Sequence, residues 1–146
     1  MGLDLVEFVI AIEGSFGIEI PDSDAERLGT PRLVIEYLSD RLQFIVPDLF
    51  WAEIGSVLRK AVLQRKTSEM EAQLALAAML ARNFPTVPSS TIVEDAVSIA
   101  LRFDRSVYDS IYVALAVASR TELVTADERL ANALASRFPV KWLGLF

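Results

Sequence analysis

Three acidic residues stand in segments where a carboxylate could carry out chemistry. They are Glu53 in VPDLFWAEIGSVL, Asp109 in RSVYDSIYVALA and Asp127 in LVTADERLA. Each lies against an otherwise apolar stretch, where an ionised group is costly unless a positive charge meets it. A cluster of such carboxylates, with no basic residue beside them, is what a hard divalent cation binds. The three segments therefore predict a metal site suited to phosphodiester hydrolysis.

The composition narrows the chemistry further. The chain has no histidine and no cysteine. This excludes Ser-His-Asp and Cys-His nucleophilic sites, and also zinc sites built on imidazole or thiolate. The remaining acid–base groups are carboxylates, lysine and tyrosine. The metals that suit carboxylate oxygens are magnesium and manganese.

The sequence also predicts where the protein works. Lack of cysteine fits a reducing cytoplasm. The N-terminus shows no basic region followed by an apolar core, so we expect no secretory signal. The longest apolar run, Ile111–Ala118, is far shorter than the about 20 residues that span a bilayer. We therefore expect a cytoplasmic protein with no membrane partner.

Charge divides the chain into two parts. Residues 1–43 hold nine acids and three bases, whereas residues 44–146 hold eleven of each. The whole net charge of −6 therefore belongs to the N-terminal part. Such asymmetry indicates segments of separate origin or with separate partners, although a solvated acidic helix pair would give the same pattern.

The N-terminal part has the periodicity of helices. Apolar residues recur at helical spacing from Leu3 to about Glu13. Asp22 is a candidate N-cap of a short second helix. Thr30 followed by Pro31 predicts the start of a third, because proline is favoured at the first helical position.

From residue 44 the pattern changes to alternating strands and helices. Ser68 with Glu71 and Thr91 with Glu94 are candidate capping boxes, and Ser106 is expected to open a further helix. Strands are predicted at 44–47, 86–88, 122–125 and 140–143. Helices are predicted at 48–64, 68–83, 91–103, 106–119 and 127–138. This alternation favours an α/β fold with a parallel sheet.

Each acidic residue also has a structural interpretation. Glu53 shares a stripe with apolar neighbours, and its head could simply reach water. Asp109 stands three residues after Ser106 in a capping-box pattern. Asp127 opens a helix, where the helix dipole favours an acid. Together, however, they fall at a strand's carboxyl end and at helix starts, where α/β sheets place their ligands.

Residues 44–146 resemble most of a PIN domain of the VapC-like toxin ribonuclease type. The matching segments are IVPDLFWAEIGSVLRKAV, RSVYDSIYVALAVA, LVTADERLANAL and the closing strand VKWLGL. The resemblance implies a metal-dependent endoribonuclease that uses Mg²⁺ or Mn²⁺ to cleave RNA. It assigns the metal ligands to Glu53, Asp109 and Asp127, and a supporting hydroxyl to Thr125. It also implies an antitoxin protein as partner.

One element of that family is missing. The family opens with an apolar strand that carries a fourth acid, and nothing in this chain matches it. That strand lies between the strands represented here by 44–47 and 122–125. We therefore expect an incomplete parallel sheet, weakened cleavage, and either a homodimer, a closure of these two strands against each other, or poor solubility.

RNA contact would depend on a local cluster of basic side chains. Net charge on residues 44–146 is zero, so no strong electrostatic footprint for RNA exists. Four basic residues could supply the attraction for RNA: Arg59, Lys60, Arg65 and Lys66. The alternative interpretation is that they form a solvated helix face.

Residues 2–42 carry a second resemblance. The segment GLDLVEFVIAIEGSFGIEIPDSDAERLGTPRLVIEYLSDRL is similar to the later helices of an acyl carrier protein. Gly2 stands where that family has the serine that carries phosphopantetheine, so no phosphopantetheine is expected. An acidic docking surface of Asp4, Glu7 and Glu13 is the remaining role. The resemblances divide the chain into a carrier-like helical fragment, 1–43, and a PIN-like domain, 44–146.

Two other functions stay open from the sequence. The chain could be a non-catalytic chimeric or remnant interaction protein whose carboxylates serve as helix caps. It could also be an acyl-carrier-like docking module without the prosthetic group.

Overall fold

The computed structural model describes residue 13, residues 18–29 and residues 31–143. Its elements follow in chain order: α1 (Asp22–Ala25), α2 (Pro31–Ser39), β1 (Val46–Pro47), α3 (Leu49–Leu63), α4 (Glu69–Ala81), β2 (Thr86–Val87), a 3-10 turn (Ser89–Thr91), α5 (Val93–Phe103), α6 (Val107–Ala118), β3 (Leu123–Thr125), α7 (Glu128–Leu134) and β4 (Val140–Trp142). The predicted α/β class is confirmed.

Two of the predicted helix starts are confirmed in detail. Ser68 and Glu71 form a reciprocal capping box at α4, with the Glu71 N–H donating to Ser68 Oγ at 3.2 Å. Ser106 caps α6 by accepting the Asp109 N–H at 3.0 Å. Helix α2 begins at Pro31, as expected for proline at a first helical position.

Two predicted caps, at Thr91 and Asp22, are wrong, and Asp48 does not cap the helix that follows it. Thr91 lies in the 3-10 turn and its hydroxyl donates to the Pro88 carbonyl, so Ile92 precedes α5 without a side-chain cap. Asp22 is the first residue of α1 and does not cap it. Asp48 precedes α3 but caps nothing, because its carboxylate accepts a hydrogen bond from Ser89 Oγ instead.

The strands form two separate parallel pairs. In one, Val46 is opposite Thr86; in the other, Leu123 is opposite Val140. Within the described residues β1 and β3 are not hydrogen-bonded to each other, so the expected closure of these strands is not seen. Helix α6 contacts both β1 and β3, and it therefore joins the two pairs through side-chain packing.

The main hydrophobic core lies around α6. This helix buries six of its residues, including Val113 at 0% exposure, so it is an interior helix. Residues from α5, α7 and β4 complete the same cluster, among them Leu134, also at 0% exposure. Burial on this scale is the dominant stabilising contribution to the fold.

A second, smaller cluster holds the N-terminal helices. Ile20, Leu28, Val34 and Leu38 are buried together, and Phe44 and Leu143 are among the residues that pack against them. Arg82 after α4 forms an ion pair with Asp40 after α2 at 2.7 Å. The acidic N-terminal part thus packs against the α/β part.

Part of the carrier-like prediction lies outside the described residues. The helix expected from Leu3, the position of Gly2, and the acids Asp4 and Glu7 all fall there. Glu13 is described, and its Oε1 accepts the Ile20 N–H at 2.8 Å. The boundary between 1–43 and 44–146 stays a prediction.

Helices α3 and α4 form an antiparallel pair with no fully buried residue. Large apolar side chains stay exposed on this pair: Val57, Leu63, Met70, Leu74 and Leu80. Among the described residues, none of the helices is long and apolar enough to cross a membrane.

Candidate functional site

Glu53 is presented by the second turn of α3. The helix follows β1 directly, and it is fixed on the neighbouring strand segment by Trp51. The Trp51 Nε1–H donates to Thr86 Oγ1 at 3.1 Å, and its ring stacks on Phe84 at 6.3 Å between centroids. Glu53 itself is exposed, and its Oε2 accepts a hydrogen bond from the Tyr112 hydroxyl on α6. This bond joins two helices across 59 residues of sequence.

Asp109 lies in the first turn of α6, one turn before Tyr112. Its Oδ2 accepts from Ser106 Oγ at 2.7 Å, so the carboxylate is part of the helix cap as well as of the site. Residues three apart on a helix share a face. Asp109 therefore lies on the face of α6 that carries Tyr112, whose hydroxyl bonds to Glu53 on α3.

The pKa of Tyr112 is raised well above its usual value. Burial is the largest cause, because it disfavours the phenolate, and the hydrogen bond to Glu53 is the next. The negative charges of Glu53 and Asp109 act in the same direction. The phenol is therefore protonated at neutral pH, where it can donate a hydrogen bond.

Asp127 and Thr125 are placed at the carboxyl end of β3. The Asp127 Oδ1 caps α7 by accepting the Leu130 N–H at 3.0 Å. Thr125 Oγ1 accepts the Asp127 backbone N–H at 3.1 Å. The hydroxyl of Thr125 thus holds the backbone from which the Asp127 carboxylate projects.

The expected convergence of three carboxylates is not observed. Within the described residues, no three acidic side chains lie close enough together to hold a metal ion. Glu53 accepts from Tyr112, which shares a helix face with Asp109, while Asp127 is engaged in its helix cap. A three-carboxylate site therefore does not fit this arrangement. Glu53 and Asp109 have the donor chemistry that suits Mg²⁺, which commonly takes one or two carboxylates and completes its shell with water.

Tyr112 is the residue that the sequence did not predict. Its signal was present, because it follows Asp109 by three residues and must share its face. Tyr112 lies in the apolar run IYVALAVA, which indicates a core position and not a site residue. The basic residues considered for RNA contact are all exposed, at or after the C-terminal end of α3: Arg59, Lys60, Arg65 and Lys66.

Comparison with known families identifies the scaffold. A sequence model of the PIN domain matches residues 25–134, about three quarters of the chain. The chain belongs to the PIN domain family. The PIN match includes Glu53, Asp109, Thr125 and Asp127, and it begins inside the segment predicted to be carrier-like.

Two relatives carry the name Ribonuclease VapC1. They come from the CDC 1551 / Oshkosh and the ATCC 25618 / H37Rv strains of Mycobacterium tuberculosis. Each is 40% identical over 90 residues, which is 60% of this chain and 65% of the relative. The matched part is therefore less than two thirds of the relatives' length.

Proposed function

We propose that this chain is a metal-dependent endoribonuclease of the toxin–antitoxin type, weakened by an incomplete set of acidic ligands. The observation that carries the proposal is the hydrogen bond to Glu53 from Tyr112, which lies one helical turn after Asp109, in a PIN domain. The ribonuclease name of the matched relatives supports RNA as the substrate.

Glu53 and Asp109 would hold Mg²⁺ or Mn²⁺, and Asp127 and Thr125, at the carboxyl end of β3, are the remaining candidates. When bound, such an ion neutralises charge on a phosphodiester and lowers the pKa of coordinated water. Two carboxylates give less charge neutralisation and less geometric restraint than a larger set. This is the physical reason for expecting slow cleavage.

The partners follow from the surface of the protein. Helices α3 and α4 expose apolar side chains such as Leu63 and Met70 at 65% and 74% of their area. Exposed apolar surface of this kind marks protein interaction sites. We propose an antitoxin protein as its partner, and a homodimer in the absence of antitoxin. A cytoplasmic location remains a prediction from the sequence.

Cleavage of a labelled RNA tests the catalytic proposal. We expect slow cleavage in Mg²⁺, somewhat faster cleavage in Mn²⁺, which accepts looser geometry, and none in EDTA. Asp109→Asn should remove the activity, because it deletes a charge while keeping the shape of the side chain. Asp95→Asn is the matched control, since Asp95 is an exposed acid in the first turn of the neighbouring helix α5. Cleavage that survives EDTA, or equal cleavage by the parent and Asp109→Asn, would contradict the proposal.

A non-catalytic interaction protein is the second candidate. It is favoured by the fact that Glu53, Asp109 and Asp127 each already accept a hydrogen bond that supports the fold. In that case RNA remains intact under every metal condition, while the exposed α3–α4 surface still binds a protein partner.

A further inference from the structure

We propose that Tyr112 is a positioning residue that holds the Glu53 carboxylate in place for a divalent cation bound between Glu53 and Asp109. This inference rests on the proposed function, because it assigns a second role around the same site. It adds a residue outside the acidic set, and it explains how an exposed glutamate on one helix can serve a site built on another.

The first step concerns the freedom of Glu53. Its side chain is long, exposed and carried by α3, whereas Asp109 is carried by α6. Fixing such a side chain costs conformational entropy, because a free glutamate samples many rotamers. Within the described part of the chain, the hydrogen bond from Tyr112 is the contact that fixes the Glu53 carboxylate.

The second step concerns the kind of contact. The Tyr112 hydroxyl donates to Oε2 of Glu53, so Oε1 stays available to a cation. A neutral donor orients the carboxylate and leaves its charge intact. A lysine or arginine in the same place would neutralise that charge. Hydrogen bonds of this type to a metal-binding carboxylate orient it and tune its affinity.

The third step concerns the shared helix. Asp109 and Tyr112 lie three residues apart on α6, so the ligand and the positioning hydroxyl move as one unit. Tyr112 is half-buried and lies between Ile111 and Val113, which are both buried in the main core. The core thereby sets the position of a carboxylate on a different helix.

Binding of Mn²⁺ to the whole chain tests this inference. Free Mn²⁺ is measured by electron paramagnetic resonance during a titration of the parent and of Tyr112→Phe. We expect the phenylalanine variant to bind Mn²⁺ about tenfold more weakly, the lower end of the effect of losing such a contact. Tyr108→Phe is the matched control, because Tyr108 lies on the same helix, is 68% exposed and makes no hydrogen bond seen in the described residues.

A double substitution separates positioning of Glu53 from other effects. In a Glu53→Gln background, adding Tyr112→Phe should lower Mn²⁺ affinity no further, because the carboxylate to be positioned is gone. Thermal unfolding in EDTA serves as the structural readout. If the Tyr112 hydroxyl only ties α3 to α6, its removal would lower the melting temperature and leave the Mn²⁺ affinity unchanged.

Equal Mn²⁺ affinity of the parent and Tyr112→Phe, in a parent that binds Mn²⁺ and cleaves RNA, would overturn the role of Tyr112. The proposed function would still stand. A parent that neither binds Mn²⁺ nor cleaves RNA overturns both. A fall in affinity that persists in the Glu53→Gln background also overturns the assignment, because Tyr112 would then act elsewhere.

Discussion

Replacing Ser110 by alanine should make the protein more stable. Ser110 is completely buried in α6, and its hydroxyl has no hydrogen-bond partner among the residues that the structure describes. A buried hydroxyl left without a partner costs about 1–3 kcal/mol. Alanine removes that group, and it also has a helix propensity up to about 0.5 kcal/mol better than serine. We expect Ser110→Ala to raise the free energy of unfolding by about 1.5 kcal/mol.

The matched control is Ser98→Ala on the neighbouring helix α5. Ser98 is also inside a helix, but it is exposed and its hydroxyl donates to the Glu94 carbonyl at 3.1 Å. The control therefore reports helix propensity without relief of a buried polar group. Its expected gain is no more than about 0.5 kcal/mol.

Urea denaturation followed by circular dichroism measures both variants against the parent. A gain of about 1.5 kcal/mol corresponds to a rise of about 3–6 °C in melting temperature for a domain of this size. If Ser110→Ala proves no more stable than Ser98→Ala, the hydroxyl is satisfied in solution and the reasoning from burial fails. Mn²⁺ affinity should not change, because Ser110 is not a ligand.

Three further expectations concern the core, pH and assembly. Leu134→Ala should lower the free energy of unfolding by about 3 kcal/mol, because Leu134 is fully buried and its truncation leaves a cavity; a loss under 1 kcal/mol in urea denaturation would contradict this. Hydrogen bonds from Ser68 lower the pKa of Glu71 from its usual value. The stabilisation from the ionised Glu71 is therefore complete above the unfolded pKa and is lost as the pH falls through the lower, folded pKa. The stability difference between the parent and Glu71→Gln, followed by thermal unfolding from pH 7 to pH 3, should therefore shrink on acidification; a difference independent of pH would refute the capping-box argument. Light scattering should show a dimer of the isolated chain, and a monodisperse monomer would remove the homodimer from the proposal.

The sequence predicted best what depends on neighbouring residues. The Ser68 capping box and the Ser106 cap need only residues three positions away, and both are present. The Thr91 cap failed because its hydroxyl donates to a competing partner, the Pro88 carbonyl. Asp48 likewise accepts a hydrogen bond from Ser89, a contact across 41 residues that local pattern does not predict.

The candidate site shows the same limit. The position of Glu53 in the helix after β1 and that of Asp109 in the first turn of α6 could be read from the pattern. The contact between Glu53 and Tyr112 could not, because it depends on how α3 and α6 pack across 59 residues. Asp127 was expected as a ligand, yet its place at the start of α7 allows the nearby Leu130 N–H to engage the carboxylate first.

The separate strand pairs have a consequence for the order of folding. Pairing Leu123 with Val140 closes a loop of 17 residues, whereas pairing Val46 with Thr86 closes one of 40. The longer closure costs about 0.8 kcal/mol more in chain entropy. We therefore expect β3, α7 and β4 to assemble first on α6, with α3 and its glutamate docking afterwards. The contact between Glu53 and Tyr112 would then be among the last to form. The acidic site would therefore be complete only after α3 has packed against α6.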